Sequence, residues 1–212
     1  MLEDEHLDDY ILAHSDSEGE MLTELIRDAN VNLLYSHMIS GPLQGRVLKM
    51  FVRMMQPHRI LELGTYTGYA TLCMAEALND DGLIYTVEIN DEMEDFIHKY
   101  LSRSPYKDKV RLLIGDALQV VPKLDQTFDM VFIDADKRLY SEYYDMVKPL
   151  VRSGGLILAD NTLWNGHIFD KAYDSDKQTQ GIIHFNDKVK ADDSVEKVIL
   201  PLRDGLTMIW KK

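Results

Sequence analysis

Five short apolar segments, each followed by a glycine or an acidic residue, constrain the fold of this chain more than any other feature. They occupy residues 59–63, 83–87, 110–114, 128–133 and 156–159. Stretches with helical spacing of apolar residues separate them. Strands that alternate with helices build a parallel sheet covered on both faces, because each parallel connection has to cross over the sheet. The sequence therefore predicts an α/β fold.

The segments on either side of this alternation differ from it. Residues 1–40 are polar and acidic, with apolar positions at helical spacing, and predict one or two helices. A further helix is expected from about Pro42 to Pro57, because proline suits a first helical turn and ends a helix when it comes later. We therefore predict one domain over 1–212, with a helical extension over 1–40 and a core over 41–212.

The C-terminal part predicts a change of strand direction. Two apolar runs at 195–200 and 206–210 flank Asp204-Gly205, a dipeptide that favours a tight hairpin turn. The last strand is therefore expected to be antiparallel, which gives a seven-stranded mixed sheet with helices on both faces and a C-terminal hairpin. Residues 162–180 predict a long polar loop that acts as an active-site flap.

Composition narrows the classes of partner. The chain has 212 residues, a formal net charge of -13 and one cysteine. Such a charge disfavours nucleic acid and anionic membranes, and one cysteine excludes a disulfide framework or a cysteine-rich zinc site. We find no apolar run long enough to span a membrane and an acidic start unlike a secretory signal, so we expect a cytoplasmic protein with no membrane or nucleic-acid partner.

Acidic residues and glycines at the strand ends indicate a nucleotide-like ligand. The turn from Glu62 to Gly68 contains Gly64, but its spacing is not the G-x-G-x-x-G pattern that binds a diphosphate. A carboxylate at Glu62 suits a cationic ligand, and Glu88 ends the second strand where an acid can accept hydrogen bonds from ribose. Asp116 follows the third strand, within reach of an adenine. Any one of these features also fits an ordinary turn, but together they indicate S-adenosylmethionine rather than NAD.

Oxygen-bearing side chains follow the fourth and fifth strands. Asp134 comes directly after one strand, and Asp160 and Asn161 come after the other. If these strands are neighbours, the three side chains offer only oxygen ligands, which suit Mg²⁺, Ca²⁺ or Mn²⁺. Solvated loop acids are the alternative interpretation, since this chain has many acidic residues.

Seven segments together resemble the cation-dependent O-methyltransferases, the group that contains the caffeoyl-CoA and catechol O-methyltransferases. They run from Gly41 to the C-terminus and read GPLQGRVL, RILELGTYTGYAT, VEIN, GDAL, VFIDADK, GGLILADNTLWNG and LPLRDGLTMI. The resemblance implies a Rossmann-like methyltransferase fold, S-adenosylmethionine as methyl donor, a divalent cation that is most often Mg²⁺, and a homodimer. One departure is Leu139, where similar sequences commonly have asparagine.

The resemblance also implies roles for individual residues. Asp134, Asp160 and Asn161 match the metal ligands, Lys137 matches the general base, and Trp164 matches a position that covers an aromatic substrate. The expected cofactor contacts, including those from the strand-end pattern, are Met38, Glu62, Gly64, Tyr66, Gly68, Glu88, Asp116, Ala117 and Asp134.

These residues predict an enzyme that methylates a hydroxyl of a small catechol-like or phenylpropanoid-like aromatic. A lysine beside a dication more readily supplies a neutral amine as base, because like charges repel. Methylation of a hydroxylated uridine in tRNA is an alternative, which the net charge disfavours. A non-catalytic S-adenosylmethionine-binding protein is another, and it has no need of Lys137. An NAD-linked oxidoreductase is disfavoured by the glycine spacing.

Overall fold

The computed structural model describes residues 5–212, so the helical prediction for residues 1–4 lies outside the described part of the chain. The helices are α1 (Glu5–Ala13), α2 (Glu20–Asn32), α3 (Gly41–Met55), α4 (Tyr69–Ala75), α5 (Glu94–Leu101), α6 (Ala117–Val120), α7 (Tyr140–Leu150) and α8 (Lys177–Ala191). The strands are β1 (Arg59–Leu63), β2 (Leu83–Glu88), β3 (Val110–Ile114), β4 (Phe128–Ile133), β5 (Val151–Ala159), β6 (Val195–Leu200) and β7 (Leu206–Lys211).

The strands form one sheet in the order β3-β2-β1-β4-β5-β7-β6. Strands β1 to β5 are parallel, and β7 runs antiparallel to both β5 and β6. The predicted seven-stranded mixed sheet with a final hairpin is therefore confirmed. The chain proceeds outward from β1 to β3 and then returns to β4 on the other side of β1. In sheets of this kind, ligands bind outside the carboxyl ends of the strands at that reversal, between β1 and β4.

Alternating side chains of the central strands face two separate cores. On β4, Met130 and Phe132 belong to a core that includes α2, α3, α4 and α5, whereas Val131 and Ile133 belong to a core that includes α7 and α8. All four side chains are completely buried. A strand buried on both faces reads as a continuous apolar run, which is why the sequence identified these strands.

The structure differs from the sequence prediction at the ends of several elements. Strand β5 begins at Val151 rather than at residue 156. The sequence prediction missed its first five residues because the exposed Arg152 and the glycine pair at 154–155 resemble a turn. Helix α8 begins at Lys177, where the side chain of Asp176 accepts a hydrogen bond from the backbone N–H of Thr179 (2.7 Å). The polar loop is correspondingly shorter and contains two 3₁₀ turns, Trp164–Phe169 and Lys171–Tyr173.

A polar side chain marks the start of the segment that contains α5. The 3₁₀ turn Asp91–Met93 before this helix is capped by Asn90, whose side chain accepts from the N–H of Glu92 (3.1 Å). Among residues 5–212, every helix is too short or too polar to reach across a lipid bilayer.

Candidate active site

The ends of β1, β4 and β5 bring the predicted metal-binding residues into adjacent positions. Ile133 pairs with Leu63 on one side and with Ala159 on the other. The backbone N–H of Asp134 donates to the carbonyl of Leu63, and that of Asp160 donates to the carbonyl of Ile133, both at 2.9 Å. Asp134 and Asp160 therefore leave neighbouring strands at the same level, as the sequence predicts for adjacent strands.

Lys137 lies directly above these strand ends. Its side chain is 9% exposed, and its Nζ donates to Asp134 Oδ1 and to the Tyr140 hydroxyl, both at 2.7 Å. The Tyr140 hydroxyl in turn lies 3.0 Å from the carbonyl oxygen of Asp160. A continuous set of hydrogen bonds thus joins the end of β4, the amine and the end of β5.

The Asp160 carboxylate is buried and held from two sides. Its Oδ2 accepts from Gln44 Nε2 (2.6 Å), and its Oδ1 accepts from the backbone N–H of Asn161 (2.9 Å). Burial and, to a smaller extent, the charge of Asp134 raise the pKa of Asp160 to about 6, against the lowering effect of Gln44. The two carboxylates are therefore close enough to repel each other, an arrangement that a bound cation relieves.

Asn161 has a left-handed backbone, with φ of 58°. Asparagine adopts this conformation more readily than most residues because its short polar side chain can bond locally. The bend turns the chain away from the sheet directly after Asp160. Asn161 therefore stands at the first position of the loop rather than in the strand.

Glu62 is the most deeply buried acid of the site. Its exposed fraction is 0%, and its Oε2 accepts from the hydroxyls of Thr86 (2.6 Å) and Thr71. Its Oε1 is buried and has no hydrogen-bond partner within residues 5–212. Burial raises the pKa of Glu62 to about 8, with smaller contributions from Asp134 and Glu88. Glu62 thus lies buried at the end of β1, and its contact with a cationic ligand stays a prediction.

The turn after β1 depends on residues with positive φ. A Cβ on Gly64, whose φ is 93°, would lie 1.9 Å from the carbonyl oxygen of Asp134, so only glycine allows the ends of β1 and β4 to approach this closely. Tyr66 and Gly68 also have positive φ, at 50° and 79°. The N–H of Tyr66 donates to Glu88 Oε2 (2.7 Å), which connects this turn to the end of β2.

The remaining predicted cofactor residues lie at or after the ends of β2 and β3, apart from Met38, which precedes α3. Glu88 is 7% exposed, and its Oε1 accepts from the N–H of Asn90 (2.8 Å). Asp116 caps α6 by accepting from the N–H of Leu118 (2.9 Å), and the following Ala117 is buried. Met38 is 52% exposed at the end of the 3₁₀ turn Ser36–Met38.

Trp164 lies in the loop that follows β5, at the start of the 3₁₀ turn Trp164–Phe169. It is half-buried against the core formed with α7 and α8, and its ring meets that of His167 edge to face at 6.4 Å. The start of this loop is held to the β6–β7 turn, because the N–H of Thr162 donates to Gly205 O (3.0 Å) and that of Leu163 donates to Asp204 O (2.9 Å). Trp164 therefore extends from an anchored segment.

Sequence reasoning did not identify Gln44 or Tyr140 as site residues. Gln44 comes from α3, 116 residues before Asp160, and no local pattern connects the two. Its one signal is an amide on an otherwise apolar helix face, and it is completely buried. Tyr140 has the clearer signal, since it stands three residues after Lys137 in the segment that follows β4.

The chemistry of the predicted ligands fits a hard divalent cation. Asp134, Asp160 and Asn161 offer two carboxylates and one amide oxygen at two adjacent strand ends. Within residues 5–212 no cluster of three or more His, Cys, Asp or Glu side chains is arranged to hold a metal ion. The predicted set includes only two such side chains, so binding by it depends on the Asn161 amide.

The chain is similar over most of its length to known O-methyltransferases. Caffeoyl-CoA O-methyltransferase from Petroselinum crispum is 33% identical over 98% of this chain and 91% of that protein. Catechol O-methyltransferase from Niastella koreensis is 35% identical over 76% of this chain and 75% of that protein. The crystal structure of the O-methyltransferase TomG from Streptomyces achromogenes, involved in tomaymycin synthesis and in complex with S-adenosylmethionine, has a TM-score of 0.91 and 28% identity, with 100% of both chains covered.

A model of the O-methyltransferase family matches residues 12–212. This range includes every motif on which the sequence resemblance rests and both cores of the fold. The family predicted from the sequence and the predicted class of enzyme are thereby confirmed. The chain belongs to the O-methyltransferase family.

Proposed function

We propose that this enzyme transfers the methyl group of S-adenosylmethionine to a hydroxyl of a small catechol-like or phenylpropanoid-like aromatic, with the help of a divalent cation. The observation that carries the proposal is the placement of the Lys137 amine between Asp134 and Tyr140, directly above the end of β5. An amine in this position serves proton transfer, which a protein that only binds the methyl donor does not need.

The charge of the strand ends supports a cationic methyl donor. Glu88 and Asp134 lie close enough to Glu62 for their charges to raise its pKa. A sulfonium with an adjacent ammonium is attracted to the Glu88 and Asp134 carboxylates, whereas the diphosphate of NAD is repelled. The buried Glu88 already accepts two backbone N–H groups, so it is held rigidly where ribose hydroxyls can donate to its carboxylate.

Asp134, Asp160 and Asn161 are the residues that would hold the cation. When bound, a divalent cation orients the acceptor oxygen and lowers the pKa of its hydroxyl. Gln44 keeps the Asp160 carboxylate in one orientation through its 2.6 Å hydrogen bond. The names of the caffeoyl-CoA and catechol O-methyltransferases support an aromatic acceptor with neighbouring hydroxyls.

Lys137 performs the proton transfer in this proposal. Its neutral amine accepts the proton of the acceptor hydroxyl, and the oxygen forms a bond to the methyl carbon. The methyl–sulfur bond breaks, and its electron pair stays on sulfur, which leaves S-adenosylhomocysteine. General base catalysis of this kind contributes roughly 10²- to 10⁴-fold to the rate. Trp164 is proposed to cover the ring of the acceptor.

The decisive experiment measures transfer of a labelled methyl group to a panel of catechols, caffeoyl esters and flavonoids. We expect turnover with Mg²⁺, none with excess chelator, and recovery when Mg²⁺ is added back. Lys137→Ala is expected to lose roughly 10²- to 10⁴-fold in kcat and to keep its affinity for S-adenosylhomocysteine. Lys107→Ala, which removes an exposed lysine at the opposite edge of the sheet, is the control. Full turnover in chelator would exclude the cation, and full turnover in Lys137→Ala would exclude the base.

The alternative acceptor is a hydroxylated uridine in tRNA. The net charge of -13 opposes it, because a tRNA backbone is repelled by such a surface unless a local basic patch exists. A methylation assay with unfractionated tRNA distinguishes the two acceptors.

A cytosolic location is proposed as well, since the one cysteine is a free, buried thiol that does not depend on an oxidising compartment.

A further inference from the structure

We propose that Tyr140 is a positioning residue that aims the Lys137 amine, an inference that rests on the proposed role of Lys137 as base. Tyr140 is the first residue of α7 and is completely buried. Its hydroxyl lies 2.7 Å from Lys137 Nζ, 3.0 Å from the carbonyl oxygen of Asp160 and 3.3 Å from that of Ile133. It therefore contacts the amine and the ends of both strands that carry the proposed cation ligands.

The direction of these hydrogen bonds follows from the chemistry of the groups. A phenol has one hydrogen to donate, and a backbone carbonyl can only accept. The hydrogen of Tyr140 therefore points to the carbonyl of Asp160 or Ile133, and the phenol oxygen accepts from Lys137. This direction holds whether the lysine is an ammonium or a neutral amine, because both carry N–H groups.

This arrangement determines where a neutral amine presents its lone pair. A neutral amine has two hydrogens and one lone pair. Tyr140 accepts one hydrogen and Asp134 Oδ1 accepts the other, so the lone pair points away from both. Without the phenol oxygen, the amine can rotate at the end of its flexible stem, and the lone pair is no longer held in one direction.

The core keeps the phenol oxygen in place. The Tyr140 ring meets the Phe185 ring of α8 edge to face, with centroids 5.4 Å apart. Both rings are completely buried. The acceptor that faces Lys137 is therefore held by the packed core, which moves less than the neighbouring polar loop does.

The first test compares Tyr140→Phe with Tyr144→Phe. Both changes remove one hydroxyl from α7 and leave a buried ring, but the Tyr144 hydroxyl bonds Asp192 (2.9 Å), away from Lys137. Tyr140→Phe is expected to lower kcat roughly 10- to 100-fold, because a small misplacement of a reacting group has that effect, and to leave the KM for S-adenosylmethionine within about twofold. Tyr144→Phe is expected to keep kcat. Equal kcat in both variants would overturn the inference.

A second comparison separates this inference from the proposed function. If Tyr140 acts through the lysine, the double variant Tyr140→Phe with Lys137→Ala is no slower than Lys137→Ala alone. Full activity in Lys137→Ala would refute the role of the lysine as base. An inactive Lys137→Ala beside a fully active Tyr140→Phe would refute the positioning role alone.

A third variant covers the case in which Tyr140→Phe does not fold, as judged by its binding of S-adenosylhomocysteine. With 4-aminophenylalanine at position 140, the side chain can again donate to the Asp160 carbonyl, but its nitrogen accepts poorly because its lone pair is shared with the ring. The positioning role predicts a restored melting temperature with a kcat still below that of the unsubstituted enzyme. Complete recovery of kcat would mean that the hydroxyl only stabilises the fold.

Discussion

Two acids at the ends of neighbouring strands differ in burial and in their hydrogen-bond partners. Glu62 has no exposed surface, and burial raises its pKa to about 8. Glu88 is 7% exposed, and its two carboxylate oxygens accept from the backbone N–H groups of Tyr66 and Asn90. The same residue type therefore bonds buried threonine hydroxyls at the end of β1 and the backbone of two turns at the end of β2.

Glu62 makes the stability of the ligand-free protein depend on pH. A carboxyl whose pKa is raised from 4.5 to about 8 holds its proton more tightly in the folded state, so its contribution to stability is lost as pH rises through this window. Glu62→Gln removes this dependence. We expect the free energy of unfolding, measured with urea, to fall as the pH rises from 5 to 8. This fall should be roughly 3 kcal/mol smaller in the variant than in the unsubstituted protein.

The control for this comparison is Glu20→Gln, which changes an exposed carboxyl in the first turn of α2. This variant is expected to keep the pH dependence of the unsubstituted protein. Parallel curves for Glu62→Gln and the unsubstituted protein would contradict the assignment of the proton to Glu62.

Gln44 is expected to tune the proposed cation site from outside it. Gln44→Leu keeps the volume of the side chain but removes the 2.6 Å hydrogen bond to Asp160. Loss of a partner that orients a ligand typically weakens metal affinity 10- to 100-fold, so we expect the Mg²⁺ concentration for half-maximal activity to rise by about that factor. Gln126→Leu, at a half-buried position where the side chain donates to the carbonyl of Asp125, is the control. An unchanged Mg²⁺ dependence would show that Asp160 needs no such support.

At the scale of elements, the position of the 3₁₀ turn Lys137–Leu139 depends on how closely α8 can approach it. A Cβ on Gly181 of α8 would lie 2.3 Å from the carbonyl oxygen of Lys137 and 2.8 Å from Cα of Arg138. Both atoms belong to the backbone, so they cannot move aside as a flexible side chain can. Glycine at this position therefore allows the helix to support the 3₁₀ turn Lys137–Leu139.

Gly181→Ala is accordingly expected to disturb both folding and catalysis. Overpacking of this kind costs about 1–3 kcal/mol, which exceeds the gain of up to about 1 kcal/mol from replacing a helical glycine by alanine. Denaturant unfolding and kcat measured on the same sample check this expectation. Gln178→Ala, an exposed position on the same helix, is expected to change neither. A Gly181→Ala variant with both the stability and the kcat of the unsubstituted protein would refute the steric argument.

At the scale of the whole molecule, the net charge and the exposed apolar side chains have opposite effects on association between copies of this chain. The net charge of -13 makes copies of this chain repel each other. Large apolar side chains are nevertheless exposed on the N-terminal helices and the loop after α2, including Tyr10 (63%), Val31 (74%) and Leu34 (84%). Covering such groups is favourable by about 25 cal/mol per Å² of apolar surface.

We therefore expect a homodimer whose association strengthens with ionic strength. Added salt screens the repulsion between the two negative copies and leaves apolar contacts largely unaffected. Sedimentation velocity in 20 mM and 300 mM NaCl is expected to show a lower dissociation constant for the dimer at the higher concentration. A monomer at both salt concentrations and at all protein concentrations would contradict this expectation.

The sequence by itself determined the sheet and the grouping of the main site residues. Buried parallel strands are continuous apolar runs, and crossover connections bring their carboxyl ends to one edge, so the positions of Asp134 and Asp160 follow from local patterns. Only the tertiary structure decided which groups hold them. Gln44 reaches Asp160 from a helix 116 residues away, and contacts across such a separation leave no periodic signal in the chain. Burial likewise depends on packing of the whole sheet, so the sequence alone did not show that the Glu62 side chain has no exposed surface.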